Sequence, residues 1–159
     1  MASEWYHQEL AIVGTIDPAT MSTSGGTAST TSAWTDAIDM DVFEKAIFIV
    51  QTNTVAASSG VTLTVYADDA SATGGMTAAV ATSTTLVNAN DDSQVWVEVD
   101  TEDMNPDNRH RYLRGKLVVA PTAGTSATAT VSAVVLAGRC RYHPASQYDL
   151  ATVAQITNS

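Results

Sequence analysis

The run Val61-Thr-Leu-Thr-Val-Tyr-Ala67 most constrains what this chain can fold into. It alternates strictly, with Val61, Leu63, Val65 and Ala67 on one side and Thr62, Thr64 and Tyr66 on the other. Successive side chains of a strand point to opposite faces, so the pattern predicts a half-buried antiparallel strand. The same period recurs in Gln94–Asp100, with Val95, Val97 and Val99 inward and Trp96 and Glu98 outward. It recurs again in 111–120, with Leu113, Leu117 and Val119 inward and Tyr112, Arg114 and Lys116 outward. Gly115 interrupts the inward set and predicts a gap or a bulge. No segment carries a sustained helical period.

Further strands are expected at 11–16, ended by Asp17-Pro18, at 34–40 with Trp34 as an anchor, and at 127–137. The last sets an Ala/Val face against a Thr/Thr/Ser/Val/Leu face. Ala46-Ile-Phe-Ile-Val-Gln-Thr52 is apolar on both faces, which predicts a central strand covered on both sides. Residues 19–32 are Ser/Thr/Gly-rich and read as a polar loop or weak edge strand; 76–87 is an ambiguous strand. Thr101 is expected to cap one helical turn over 101–108. About eight strands with turns every 8–12 residues predict an all-β antiparallel sandwich of the jelly-roll kind. Its body is expected over 11–142, with an N-terminal arm at 1–10 carrying Trp5 and Tyr6, and a C-terminal tail at 143–159.

The 159 residues suit one domain, but Ala, Thr and Ser dominate and aromatics are only 6%. Small side chains bury little area each, so burial against neighbouring subunits is an expected supplement. The net charge of −10 argues against nucleic-acid binding, which needs a basic surface. No run approaches the 18 apolar residues of a membrane span. Cys140 is the single cysteine, so no bridge forms within the chain. The first residues show no basic stretch ahead of an apolar one, so the chain is expected to fold in a cytosol.

Motifs for chemistry are weak. Asp39-x-Asp41-x-x-Glu44 lacks the spacing and glycine of a calcium loop, and Asp68-Asp69 and Asp91-Asp92 read as solvated loop pairs. His7, His110 and His143 have no metal-ligand spacing. Cys140 lies between two arginines, which would favour a thiolate, yet it reads first as a small residue at a strand end. There is no Gly-x-Ser-x-Gly elbow, and Gly25-Gly26 and Gly74-Gly75 read as turns rather than phosphate loops. No enzyme, metal or cofactor is expected. Two features point to binding instead. Trp96 faces outward and needs a cover, from a loop, another subunit or a sugar. The basic residues are also skewed: Lys45 is the only one before position 109, and Arg109, Arg111, Arg114, Lys116, Arg139 and Arg141 follow. Were the strands of Tyr112, Arg114 and Lys116 and of Arg139 and Arg141 neighbours, these groups would form a patch for an acidic partner.

Several stretches together resemble the small capsid-decoration (cement) proteins of tailed bacteriophages. They are Lys45-Ala-Ile-Phe-Ile-Val50, the strand 61–69 ending Tyr-Ala-Asp-Asp, Tyr112–Val119, and the closing Ala133-Val-Val-Leu-Ala-Gly-Arg-Cys-Arg-Tyr-His-Pro144. The resemblance covers about residues 40–144; the Ser/Thr-rich loop and the long tail depart from it. It implies a non-catalytic sandwich on the outer surface of a virion, assembled in host cytoplasm. Its partners would be the major capsid protein and copies of itself, a trimer being the expected oligomer. The expected contact residues are Trp5, Tyr6, Trp96, Tyr112, Arg114, Lys116, Arg139, Arg141 and Tyr142. A carbohydrate-binding module with Trp96 and Tyr66 as its platform, and a head–tail or tail component, are the alternatives.

Overall fold

A computed structural model describes residues 9–23, 30–71, 76, 78–104, 110–141 and 148. Ten strand segments run in chain order: β1 (Leu10–Ser22), β2 (Thr31–Trp34), β3 (Ile38–Asp39), β4 (Phe43–Val55), β5 (Ser59–Asp68), β6 (Ala78–Thr82), β7 (Leu86–Val87), β8 (Gln94–Asp100), β9 (Tyr112–Pro121) and β10 (Thr128–Cys140). One sheet has the order β1-β10-β4-β8. The other has the order β2-β9-β5-β6, with β3 also on β9 and β7 also on β5. All pairings are antiparallel. Since β2 and β3 share one partner, and β6 and β7 another, the ten segments act as eight strands. Taken in chain order these strands switch between the sheets at every step but one, β5 to β6, which is the wiring of a jelly roll.

The alternating runs fold as their period dictates. Val61, Leu63, Val65 and Ala67 are buried, and Thr62, Thr64 and Tyr66 are half-exposed. On β10 the inner face is Ala129, Val131, Ala133, Val135 and Ala137. Phe48 from β4 and Ile38, Leu63, Leu113 and Leu117 from the opposing sheet are the largest fully buried side chains. Gly115 explains how so thin a core closes. A Cβ there would meet Phe48 Cδ1 at 2.9 Å and Leu63 Cδ1 at 3.1 Å. The gap in the inward row of β9 is therefore the seat of the Phe48 ring, not a bulge.

Several expected boundaries shift. Asp17-Pro18 does not end the first strand. β1 is an edge strand, so the missing proline N–H costs no ladder bond, and a register shift between Ile16 and Ala19 absorbs both residues. The stretch 34–40 is two pieces, because buried Thr35 turns aside: its Oγ1 accepts the Gly115 N–H at 3.0 Å. Trp34 is paired with Lys116 on an outer face and does not anchor the core. β4 is central in its sheet, yet among the described residues nothing covers its second face, where Ile47 and Ile49 are half-exposed. The turn after β8 is a single 3-10 turn, Thr101–Asp103, started by Asp100 rather than Thr101.

Candidate functional site

The alternation that buries one side of each sheet leaves two outer faces, and the sequence-derived contact residues divide between them. On the six-stranded sheet the register sets Lys116 between Trp34 and Thr64, Tyr66 beside Arg114, and Asp39 beside Tyr112. The Trp34 and Tyr66 rings lie 5.5 Å apart, tilted by 50°. Lys116 Nζ sits over the Trp34 ring, 5.3 Å from its centroid. Among the described residues neither Arg114 nor Lys116 has an acidic partner. Arg114 Nε is buried and has no hydrogen-bond acceptor there.

Two other cations are neutralised. Arg111 holds Asp39 in a two-pronged pair, with Nε 2.8 Å from Oδ1 and Nη2 on Oδ2. Asp41 Oδ2 lies 3.2 Å from the same Nε. The Arg111 hydrogen bonds hold the Asp39 carboxyl below its ordinary value against some desolvation. The carboxylates in turn hold Arg111 protonated. Asp39 and Asp41 are thus engaged by an arginine. On the other sheet Lys45 Nζ lies 2.7 Å from Glu98 and 3.1 Å from Asp100, and these bonds, Glu98 first, push the ammonium's pKa up.

On the four-stranded sheet two cross-strand rows face outward: Ile12–Leu136–Ile47–Glu98 and Thr15–Val134–Ile49–Trp96. Trp96 is 63% exposed, so no described residue covers it. It lies on the opposite side of the sandwich from Tyr66, and the two do not make a shared platform. The third row, Ser132–Gln51–Gln94, opens into a polar cleft of about 370 Å³.

Arg139 and Arg141 do not join Arg114 and Lys116. They end β10, in the other sheet, where Arg139 shares a small cleft with Glu44, Asp100 and Glu102. The Arg141 N–H donates to Val42 O at 2.9 Å. The basic skew of the sequence is therefore two separate groups, since β9 and β10 are chain neighbours but lie in different sheets. Trp5, Tyr6 and Tyr142 lie outside the described residues, as do Arg109, His7 and His143. Cys140 is buried in the core, as a small strand-end residue would be. Among the described residues no three His, Cys, Asp or Glu side chains gather to hold a metal. Asp68 and Asp91 lie at opposite ends of the sandwich, and the Asp91 carboxylate accepts the Val55 N–H at 2.6 Å. Tyr148 touches the body edge-on at Phe43, 5.6 Å between ring centroids. Sequence reasoning did not pair Trp34 with Tyr66 and missed the cleft, because strand pairing within each sheet creates both.

No protein-family model matches the sequence, and no curated protein matches it. Solved structures do. A structure of the infectious bursal disease virus Gt strain aligns with a TM-score of 0.50 and 13% identity, over 86% of this chain and 33% of that one. T=1 particles derived from the same virus give 0.49 and 15%, over 82% and 32%. A subviral particle of its VP2 gives 0.47 and 16%, over 86% and 33%. The chain spans about a third of the length of those chains. At such identities the likeness with the Gt strain structure shows a shared fold: the chain is an all-β jelly-roll sandwich of a kind found in a virus structure.

Proposed function

We propose that this chain is a non-enzymatic structural virion protein that binds and stabilises the outer surface of a capsid, docking through the outer face of its six-stranded sheet. One observation carries the reading. On a chain of net charge −10, Arg114 and Lys116 stand among Trp34, Tyr66 and Tyr112 without acidic partners among the described residues. Tyr, Trp and Arg are the residues most enriched at binding hot spots, and they seldom gather on a face that stays in water. An acidic patch of the major capsid protein fits this face: a carboxylate would pair with the Arg114 guanidinium, which has no acidic partner among the described residues, and aromatic rings would exclude water around it. The jelly-roll wiring and the resemblance to phage cement proteins point the same way. In this reading the N-terminal arm with Trp5 and Tyr6 and the tail from 143 reach neighbouring copies.

The test is co-sedimentation with capsids stripped of this chain, at low and high salt. Arg114→Ala and Tyr66→Ala should weaken binding strongly, Lys116→Ala less, and raised salt should weaken the wild type. Equal binding by all variants would overturn the proposed face. Failure of the wild type to bind capsids would overturn the function.

A further inference from the structure

The polar cleft on the four-stranded sheet is built, not incidental, and three backbone irregularities converge on it. The β1 bulge around Asp17-Pro18 raises one wall, and a register shift between Thr130 and Val131 breaks the β10–β4 ladder beneath. Asp92, with φ 54°, turns the chain at the opposite wall in a conformation uncommon outside glycine. Bulges and such residues gather where a side chain must be re-aimed. The far wall is also fixed in advance. Thr52 Oγ1 donates to Asn90 O at 2.8 Å and Ser93 O at 3.2 Å, Asn88 Nδ2 donates to Val55 O at 2.7 Å, and the Asp92 N–H donates to Asn53 O at 3.0 Å.

The groups lining the cleft include Gln51, Asn53, Asp92, Gln94 and Ser132. Gln51 and Gln94 are exposed and directly opposed across β4 and β8. Their carbonyl oxygens hold only long bonds, 3.5 Å from Ser132 Oγ and 3.4 Å from Trp96 Nε1. Both bonds are at the limit of hydrogen bonding and exchange easily for a ligand hydroxyl. Two residues along β8 from Gln94, on the same face, stands Trp96, 63% exposed. The lining includes one carboxylate and no cation, which disfavours anions, and its amides and hydroxyls disfavour an apolar ligand. Planar amides that both donate and accept, beside an uncovered indole, suit a pyranose: hydroxyls bond to the amides and the ring's C–H face stacks on the tryptophan.

From this geometry we infer that the cleft and Trp96 form a binding site for a neutral oligosaccharide. It lies on the face opposite the proposed docking surface, so a docked subunit would present it outward. It differs from a Trp96–Tyr66 platform, whose members the fold sets on opposite sides.

The test is calorimetric and NMR titration of the isolated chain with maltohexaose, cellohexaose and chitohexaose, with polygalacturonate as an acidic comparison. Because the isolated chain is used, failure of capsid docking has no bearing on the result. At least one neutral hexasaccharide should bind and shift the amides of Gln51, Gln94 and Trp96. Trp96→Ala and Gln94→Ala should each weaken it about tenfold, a loss of about 1.4 kcal/mol. Trp96→Tyr should recover part of the loss, and Lys116→Ala on the other sheet should change nothing. Far-UV circular dichroism confirms that each variant folds. Binding by none of the three, preference for polygalacturonate, or unchanged binding by Trp96→Ala would each overturn the inference.

Discussion

The two outer faces of this sandwich obey one pattern and present opposite chemistry. The six-stranded sheet shows rings, threonines and two cations without acidic partners among the described residues; the four-stranded sheet shows aliphatic rows, a lone indole and an amide-lined cleft. Both are the leftover halves of alternating strands whose other halves are the same Val, Leu and Ala core. The difference teaches that the inward residues decide how the chain folds, while the outward ones are free to be chosen for what each face meets.

If the faces are independent and the core is shared, a core substitution must damage both sheets at once. Phe48 bridges them, from β4 into the gap at Gly115. Phe48→Ala should cost about 3–5 kcal/mol in chemical denaturation. Gly115→Val should be comparably damaging, because its first side-chain atom already meets the ring at 2.9 Å. Near- and far-ultraviolet signals should lose amplitude together, in one transition. Separate transitions would show that the sheets, and not only their faces, act apart.

Docking should separate the faces most sharply. A desolvated charge pair that loses one partner costs about 2–5 kcal/mol, whereas a rim contact is worth about 0.2–1 kcal/mol. Arg114→Ala should therefore weaken capsid binding by more than Lys116→Ala, and Val134→Thr on the other sheet should leave it unchanged. Co-sedimentation across a concentration series reads the order directly. An effect of Val134→Thr equal to that of Arg114→Ala would reverse the assignment of faces.

Stability should separate them more gently. Trp34 and Tyr66 pack on each other, and aromatic pairs contribute about 0.5–1.5 kcal/mol beyond their burial. The coupling in a Trp34→Ala, Tyr66→Ala double-mutant cycle should fall in that range. Trp96 stacks on no described ring, so Trp96→Ala should change stability by no more than about 0.5 kcal/mol. A large loss at Trp96 would mean that the indole has a structural cover, and the face would no longer be open.

Much of this architecture is written in the sequence, because period-two alternation records which side chains go in. Val61–Ala67, Gln94–Asp100 and the stretch around Leu113–Val119 could be read directly. What depends on pairing could not. The fold puts β9 and β10, adjacent in sequence, into different sheets, so Arg114 and Arg141 never share a patch. Trp34 and Tyr66 are remote in sequence and meet only because β9 lies between their strands. Pro18 reads as a stop until the edge position of β1 and its register shift are known. Gly115 signals an irregularity, but only the opposing sheet shows that a phenylalanine ring occupies it.

The smallest expected effects come from the ion pairs, one on each sheet, and they differ in sign with pH. Arg111 holds Asp39 on the six-stranded sheet and depresses its pKa from the ordinary 3.8. A depressed carboxyl binds protons less readily when folded, so its contribution is complete above 3.8 and is lost as pH falls through the lower folded value. Lys45 on the four-stranded sheet is raised from 10.5 by Glu98 and Asp100. Its contribution is complete below 10.5 and is lost as pH rises through the higher folded value. Both pairs reach water, so each effect is small and screened by salt. Melting temperatures of wild type, Asp39→Asn and Lys45→Met across the pH range test the contrast. The Asp39→Asn deficit should be present at pH 7 and shrink only in acid. The Lys45→Met deficit should be present at pH 7 and shrink only in strong alkali. Deficits that follow the same pH course would mean that the two networks are coupled through the core, and that the faces are not independent after all.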